Sequence, residues 1–373
     1  MPLSPAFIRC INMKKSSRIL PLAVLAGLFN LAPLHAGEII DQNNRAVALP
    51  NEVQNIVGIT VPSASMVITL DQDTERLKGM NPIAKRQIED SLMSKMFPQS
   101  LEVPGSMAGD GFAPNVEAIL AAKPDIIFQW GDKGESILKP LETLGIPVIT
   151  FKYGKTKYVK EWIDLTGKSI DRQQRAERLL GYFTQTEEAL KDAVNQHHAT
   201  QKPRVLFVFR YKSGLQVGGL GTSMHTDIER AGGINVAANV KGFKTINIEQ
   251  LLEWNPDIIL LTNFENGLSP DSLYGDPLLK NISAIKQQRV YQYPKGGFVW
   301  EPPSQESPLT WRWLYSVFYQ SNELDTVSHL KNYYQLLYNY SLSEAEIQQV
   351  LRFEQNQGSS SYSDIFNFPK QPL

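Results

Sequence analysis

Basic and aromatic side chains follow several apolar runs of the sequence, and together they could bind an anionic ligand. The runs are predicted to end near residues 130, 151 and 209. The side chains at or just after these ends are Trp130, Lys133, Tyr153, Arg210 and Tyr211, and a later glycine-rich stretch adds Phe298 and Trp300. Arginine pairs with carboxylate or catecholate oxygens through a forked geometry, and rings stack on flat ligands. The pattern therefore suits an anionic, partly aromatic ligand.

Within this set, Arg210 is the strongest single candidate, because a charge at the end of a buried strand needs a partner. For each aromatic residue taken alone, packing in the core remains an equal alternative. The glycine-rich turn Gly218–Thr222 precedes a predicted helix over residues 223–230. Such a turn can bind an anion through backbone N–H groups, although loop closure explains its glycines at least as well.

The same sequence offers no arrangement for covalent catalysis or for a bare metal ion. It contains no Gly-x-Ser-x-Gly motif, and its single cysteine is Cys10. Four of the five histidines, at positions 197, 198, 225 and 329, are scattered over predicted helices, whereas a zinc site needs converging ligands. We therefore predict no catalytic residue, no metal ligand and no cofactor. An axial haem ligand at His225 and a secreted hydrolase or structural envelope protein stay as alternatives.

The elements that would carry the predicted site alternate between strand and helix. Each strand candidate is a compact apolar run, as expected for strands covered on both faces. The six candidates are Asn55–Thr60, Asp125–Trp130, Pro147–Phe151, Arg204–Phe209, Asp257–Thr262 and Arg289–Tyr293. Helical patterns lie between them, so we predict an α/β fold with mostly parallel sheets flanked by helices. At roughly 100–200 residues per domain, the length of the chain suggests two domains.

An internal repeat indicates that these two domains are alike. Residues 115–127 read Asn-Val-Glu-Ala-Ile-Leu-Ala-Ala-Lys-Pro-Asp-Ile-Ile, and residues 247–259 read Asn-Ile-Glu-Gln-Leu-Leu-Glu-Trp-Asn-Pro-Asp-Ile-Ile. In each copy the asparagine can cap a short helix, the glutamate lies in its first turn, and the proline ends it before a buried strand. Two copies at matching places predict two similar lobes.

A long helical pattern separates the two copies, from Asp171 as the expected N-cap to about His198. About 27 residues at 1.5 Å each would span roughly 40 Å, which makes this helix a rigid strut between lobes. A last helix is predicted to begin at Ser343, with Glu346 completing a capping box. The serine-rich tail from Gly358 is expected to be poorly ordered.

The first 36 residues have the order of a secretory leader. Basic residues precede an apolar run from Ile19 to Leu34, and Ala36 supplies the small residue at the cleavage site. Cleavage there would remove four basic residues and no acidic ones from the 37 basic and 38 acidic residues of the chain, so the net charge would change from −1 to −5. An acidic chain without cysteine argues against nucleic acid as a partner and against a disulfide framework.

Taken in order, these motifs resemble the periplasmic binding proteins for siderophores, haem and cobalamin. The resemblance covers nearly the whole chain after the leader. Its parts are the opening hairpin over 40–50, the repeat copies at 115–127 and 247–259, Ala231–Ala237, Trp300–Ser304 and Leu309–Leu314. The resemblance implies a signal peptide over 1–36, an N-terminal lobe over 37–170, a connecting helix over 171–199, a C-terminal lobe over 200–357 and a flexible tail over 358–373.

The resemblance also implies a function. Ligand would lie between the lobes at the carboxyl ends of the strands, and the helical strut would allow only modest closure. Glu117 and Glu249 would meet arginines on a membrane permease, one per half, whereas their local alternative is helix capping worth ~0.3–1 kcal/mol each. The expected protein is a monomeric periplasmic component of an ABC importer. It would deliver a metal chelate, with a ferric siderophore favoured, to the inner-membrane permease dimer and its ATPase. Haem, cobalamin and a molybdate-type oxyanion remain alternative ligands.

Overall fold

The structure is a computed structural model that describes residues 37–197 and 202–369. The predicted leader over 1–36 with Cys10, the end of the predicted strut at His198, and the last residues of the predicted tail, 370–373, lie outside the described residues.

The N-terminal lobe is built on a four-stranded parallel sheet. Its strands are β1 Gly37–Ile40, β2 Ala46–Leu49, β3 Ile56–Gly58, β4 Leu77–Met80, β5 Ile126–Trp130 and β6 Val148–Phe151. Its helices are α1 Ser63–Asp71, α2 Pro82–Glu89, α3 Met93–Met96, α4 Val116–Ala122, α5 Lys139–Glu142 and α6 Thr156–Ser169. Strands β1 and β2 form a separate antiparallel hairpin, and the sheet has the order β4-β3-β5-β6. Every residue of β3, β5 and β6 is buried, which accounts for their uninterrupted apolar sequences.

The C-terminal lobe has a larger, mixed sheet. Its strands are β7 Arg204–Arg210, β8 Gln216–Gly218, β9 Ile234–Asn235, β10 Phe243–Thr245, β11 Ile258–Leu261 and β12 Val290–Gln292. Its helices are α8 Ser223–Arg230, α9 Ile248–Trp254, α10 Pro270–Tyr274 and α11 Ser283–Lys286. Strands β9, β7, β11 and β12 run parallel, while β8 and β10 extend the sheet as an antiparallel edge. All six strands predicted from the sequence are present.

One long helix, α7 Gln173–Gln196, joins the lobes. At 1.5 Å per residue its 24 residues span about 36 Å. The helix begins one residue later than an N-cap at Asp171 predicts, and that predicted cap is wrong, because Asp171 has a left-handed backbone (φ 55°) and no side chain caps the first turn. Glu187 of α7 forms ion pairs with both Lys160 of α6 and Arg230 of α8, and so links these three helices. The α/β fold with two lobes and one connecting helix is therefore confirmed.

The two copies of the repeat fold in the same way. Asn115 accepts a hydrogen bond from the Ala118 N–H, and Asn247 accepts one from the Gln250 N–H, so both predicted caps are confirmed. Each helix ends at a left-handed residue just before the proline, at Lys123 (φ 47°) in α4 and at an asparagine (φ 40°) in α9. Along 115–127 and 247–259 the succession of buried, half-buried and exposed positions is identical.

Five further helices follow the second sheet and pack against both lobes. They are α12 Ser307–Tyr319, α13 Thr326–Tyr338, α14 Glu344–Val350, α15 Phe353–Asn356 and α16 Tyr362–Ile365. Lys95 of the N-terminal lobe pairs with Glu346, which also closes the predicted capping box of α14. The Leu92 N–H donates to the Gly296 carbonyl (3.0 Å). The lobes are thus held together by more than α7.

The predicted flexible tail is wrong over residues 358–369. Tyr362 is fully buried and accepts a hydrogen bond from the Trp313 indole nitrogen (3.0 Å). Phe366 and Phe368 are also buried. The serine-rich composition of the tail gives no sign of this burial. Among the described residues, no helix combines the length and apolar character that crossing a membrane requires.

Candidate ligand-binding cleft

A cavity of about 290 Å³ lies between the two lobes. It opens at the carboxyl ends of the central strands, where ligands bind in open α/β sheets. Its lining is mainly aromatic and proline, with two cations. The lining residues are Val61, Pro62, Ile83, Phe112, Trp130, Lys133, Tyr153 and Trp162 from the N-terminal lobe, and Phe209, Arg210, Met224, Phe243, Phe264, Pro302 and Pro303 from the remainder of the chain.

The N-terminal wall is a cluster of rings centred on Trp130. Its indole meets Phe112, Tyr153 and Trp162 edge to face, with ring centroids 5.8–6.0 Å apart. Such edge-to-face pairs are worth about 0.5–1.5 kcal/mol beyond their buried area. The indole nitrogen of Trp130 is buried and has no hydrogen-bond acceptor among residues 37–197 and 202–369. The cluster therefore gives a preorganised apolar surface with one unused donor.

The C-terminal wall is a set of half-buried rings around Phe209. Phe209 lies 4.7 Å from Phe243 and 6.1 Å from Phe264, measured between ring centroids. Strand β10 of the antiparallel edge carries Phe243, and Phe264 follows β11. The two walls thus offer aromatic faces from opposite lobes to one ligand.

The two cations of the cleft come from different lobes and lack an acidic partner in the described chain. The Lys133 ammonium lies 5.2 Å from the centre of the Tyr153 ring, and the side chain is exposed. The Arg210 guanidinium stacks over Phe209 at 4.0 Å and donates to the Phe209 carbonyl (3.0 Å). Because neither charge is neutralised by a carboxylate, the cleft favours an anionic ligand.

Tyr153 also bridges the lobes. Its hydroxyl lies 3.3 Å from the Ser223 hydroxyl at the start of α8. Burial raises the pKa of Tyr153, so the phenol stays neutral and can donate or accept a hydrogen bond. The turn before α8, Gly218–Thr222, needs glycine at position 219, because a Cβ there would lie 2.1 Å from the Val240 carbonyl oxygen. Loop closure therefore accounts for this glycine of the turn.

The predicted place of Tyr211 in the cleft is wrong. Its backbone N–H donates to the Glu265 carboxylate (2.6 Å), and its hydroxyl donates to Asp276. Burial and the Asp276 carboxylate raise the pKa of Tyr211 well above its usual range. The strand ends at Arg210 and the chain bends at Tyr211, so Arg210 lines the cleft while Tyr211 packs under the loop beyond β11.

Phe298 and Trp300 likewise do not line the cavity, and both are buried in the core. The indole nitrogen of Trp300 donates to Glu306 (2.6 Å). Glu306 also accepts hydrogen bonds from Tyr334, Tyr338 and the Phe298 N–H. Burial raises the pKa of Glu306 by more than these donors lower it, so the resulting pKa is about 7. The glycine-rich stretch therefore supports the wall at Pro302 and Pro303 without forming it.

Four of the seven predicted binding residues, Trp130, Lys133, Tyr153 and Arg210, come together in the cleft. The same reasoning, applied to the ends of the strands near residues 60 and 262, would also have found Val61 and Phe264. Phe112 ends a short 3-10 helix, Phe243 lies on an edge strand, and Pro302 and Pro303 lie in a loop, so no local pattern marks them.

Glu117 and Glu249 lie away from the cavity, each in the first turn of its short helix. Both are exposed, and neither carboxylate has an ion-pair or hydrogen-bond partner among the described residues. Within the same part of the chain, no three His, Cys, Asp or Glu residues converge as a metal site. His225 is held by Asn235 (3.3 Å) and Glu229 (3.5 Å) and does not line the cavity.

Several known proteins resemble this chain in sequence. A family model described as "Periplasmic binding protein" matches residues 103–296. The molybdate-binding protein MolA of Haemophilus influenzae is 26% identical over 346 residues, which cover 86% of this chain and 96% of the relative. The iron-uptake system-binding protein of Bacillus subtilis is 25% identical over 214 residues, 52% of this chain and 63% of the relative.

Solved structures share the fold. A periplasmic solute-binding protein from Veillonella parvula superposes with a TM-score of 0.77 at 30% identity, covering 86% of this chain and 98% of that one. MolA of Haemophilus influenzae bound to molybdate superposes with a TM-score of 0.72 at 24% identity, covering 82% and 99%.

Proposed function

Since this chain belongs to the periplasmic binding protein family of ABC importers, we propose that its ligand is an anionic metal chelate, with a ferric siderophore favoured. Membership of this family also means that the chain is a substrate-binding protein and not an enzyme. The observation that carries this proposal is the pair of cations that face one aromatic cleft from opposite lobes. Lys133 and Arg210 have no carboxylate partner in the described chain, so an anion is the ligand that would neutralise them.

The aromatic walls of the cleft favour a ligand that has an organic part. A bare oxyanion is usually held by many hydrogen-bond donors, whereas this cleft presents mainly rings and prolines around its two cations. A chelate with apolar or aromatic arms would bury that surface while its charge meets Arg210 and Lys133. Three Bacillus subtilis relatives, named as an iron-uptake system-binding protein, an iron(3+)-hydroxamate-binding protein and an Fe(3+)-citrate-binding protein, are consistent with this ligand class.

Molybdate is the second candidate, because the molybdate-binding MolA of Haemophilus influenzae matches this chain over 86% of its length. A small oxyanion would fit the cavity volume of about 290 Å³ and could use the same two cations. Haem has less support, since His225 is already held by its neighbours. Cobalamin also has less support, because a neutral ligand would leave both cations unpaired.

The remainder of the proposal concerns transport. The leader-like sequence over 1–36 supports export to the periplasm, where a monomer would carry its ligand to a permease dimer and its ATPase at the inner membrane. Glu117 and Glu249, exposed on matching helices of the two lobes, would each bind an arginine of one permease half.

A titration panel tests the ligand class. Ferric hydroxamate, catecholate and citrate chelates, haem, cobalamin and molybdate would each be titrated into the unliganded protein, with tryptophan fluorescence and calorimetry as readouts. Ferric chelates should quench the fluorescence, because Trp130 and Trp162 lie at the cleft. Arg210→Ala should weaken binding of the best chelate by about tenfold to a hundredfold, the usual loss for a hydrogen bond to a charged group.

The matched control is Arg204→Ala, at the opposite end of the same strand and outside the cavity. Its affinity should equal that of the wild type. Tight binding of molybdate with no response to any ferric chelate would transfer the assignment to an oxyanion. Tight cobalamin binding that is insensitive to Arg210→Ala would contradict an anionic ligand altogether.

A further inference from the structure

Two exposed leucines occupy matching positions of the repeat. Leu120 on α4 is 50% exposed, and Leu252 on α9 is 40% exposed. Single exposed apolar residues are common on protein surfaces and need no explanation. Here, however, the same apolar residue is exposed at the same position of both lobes, although the sequence around it differs at several positions.

Each leucine lies beside one of the unpaired glutamates. Glu117 and Leu120 are three residues apart on α4, as are Glu249 and Leu252 on α9, so each pair shares one face of its helix. The neighbouring Ile119 and Leu251 are buried and fix the orientation of the two helices against the core. The lobes therefore present two copies of one small surface, a carboxylate beside an exposed leucine.

These surfaces lie close to the cleft along the chain. Phe112 lines the cavity and precedes α4 by a few residues, and Phe243 lines it and precedes α9 in the same way. Each surface is thus joined by a short connection to a residue that lines one wall of the ligand site.

We infer that Leu120 and Leu252 are apolar anchors of a two-part docking surface, and that its occupant is a membrane permease with two similar halves. Each half would offer an apolar recess for the leucine next to a cation for Glu117 or Glu249. This inference rests on the proposed function and adds a binding contribution that does not depend on charge. It predicts that docking survives high salt better than a surface held by two ion pairs alone.

Charge argues against other occupants. In a symmetric contact between two copies of this chain through one of these surfaces, unpaired carboxylates would come together and repel. An anionic lipid surface would repel the same groups. A partner with two basic, apolar-lined recesses satisfies both the charge and the duplication.

The test measures docking of the full-length protein, without added ligand, to its permease–ATPase complex in nanodiscs. Leu120→Gln and Leu252→Gln keep the helix-forming tendency and length of the side chain while removing its apolar character. Each single change should weaken docking by about tenfold and the double change by roughly a hundredfold, the loss expected for the exposed half of a leucine. The matched control is Ile40→Gln with Leu278→Gln, which are 57% and 62% exposed in the wild type but lie outside the repeat.

The outcomes separate this inference from the proposed function. Docking by the double leucine variant at the affinity of the control variant would overturn the anchor inference and leave the proposed function standing. Absence of wild-type docking, together with absence of fluorescence quenching by a ferric hydroxamate, would overturn both. A wild-type dimer in sedimentation that the double leucine change converts to monomer would make a second copy the occupant and overturn the assignment to a permease.

Discussion

The two lobes are built alike where they face outward and differently where they face each other. Before β5 and before β11, both lobes have an asparagine-capped helix with the same exposed pair, Glu117 with Leu120 and Glu249 with Leu252. After these strands the likeness ends. The N-terminal wall is a cluster around the buried Trp130, whereas the C-terminal wall includes Phe243 from an antiparallel edge strand, which has no counterpart in the sheet that residues 37–197 form.

This difference is what two kinds of partner would require. A permease with two similar halves can bind the same surface twice, so the outward faces stay alike. A chelate has no such symmetry, and each wall of the cleft is therefore free to differ. Even the two cations are unequal, because Lys133 is exposed while Arg210 is half-buried against Phe209.

The largest expected effect is on the outward faces. Glu117→Arg with Glu249→Arg should abolish transport of a bound ferric chelate in a reconstituted importer, because each new cation would face a cation of the permease. Ligand affinity should stay within a few fold, since neither residue lines the cavity. Glu38→Arg with Glu354→Arg, two exposed acids outside the repeat, is the control. Normal import by the first double variant would refute docking through matched glutamates.

A second prediction compares two buried acids, Glu306 and Asp41, by how pH changes their contributions to the free energy of unfolding. The folded pKa of Glu306, about 7, lies above its ordinary value of 4.5. The folded state therefore binds a proton that the unfolded state releases between pH 4.5 and 7, so this contribution to stability is present below pH 4.5 and lost as the pH rises through 7. The loss should be about 3 kcal/mol. Comparing denaturant unfolding of the wild type and Glu306→Gln from pH 5 to 8 measures it. Parallel pH profiles would contradict a raised pKa at Glu306.

Asp41 in the N-terminal lobe should act in the opposite direction. Burial tends to raise its pKa, but hydrogen bonds from Thr150 and Arg45, with the charge of Arg45, hold the pKa below 3.8. Its contribution is present above that value and is lost as the pH falls through the lower folded pKa. Asp41→Asn should therefore reduce stability at pH 7 more than at acidic pH, where the wild-type carboxylate is protonated. An equal reduction at both pH values would contradict the lowered pKa.

The two cations give a smaller contrast. Lys133→Ala should weaken binding of the best ferric chelate by only a few fold, because an exposed ammonium is screened by water and salt. Titration of Lys133→Ala beside Arg210→Ala measures the difference between the lobes. Equal losses would mean that the ligand buries Lys133 as fully as Arg210.

The smallest expected effect is on shape. Helix α7, the ion pairs of Glu187 and the contacts between Lys95 and Glu346 connect the lobes at several places. Small-angle scattering should therefore show only a slight decrease in radius of gyration when a ferric chelate binds. A large compaction would indicate a hinge between the lobes instead of a strut.

Much of the architecture followed from local sequence. The six predicted strands are present because uninterrupted apolar runs are stable only when both faces are covered. The caps at Asn115, Asn247 and Ser343 form because a side-chain oxygen satisfies N–H groups two or three residues away. The internal repeat in the sequence predicted two similar lobes, with a glutamate at the matching position of each.

Only the tertiary structure decided which side chains line the cleft. Phe112, Phe243 and Pro302 reach it from separate segments, and no short-range pattern brings them together. Tyr211 turned away because an acidic residue 65 positions later accepts its hydroxyl hydrogen. Trp300 and the tail at Tyr362 were buried by helices whose positions depend on the whole C-terminal half. Local patterns report hydrogen bonds and periodicity within a few residues, whereas a binding site is formed by contacts between residues far apart in the chain.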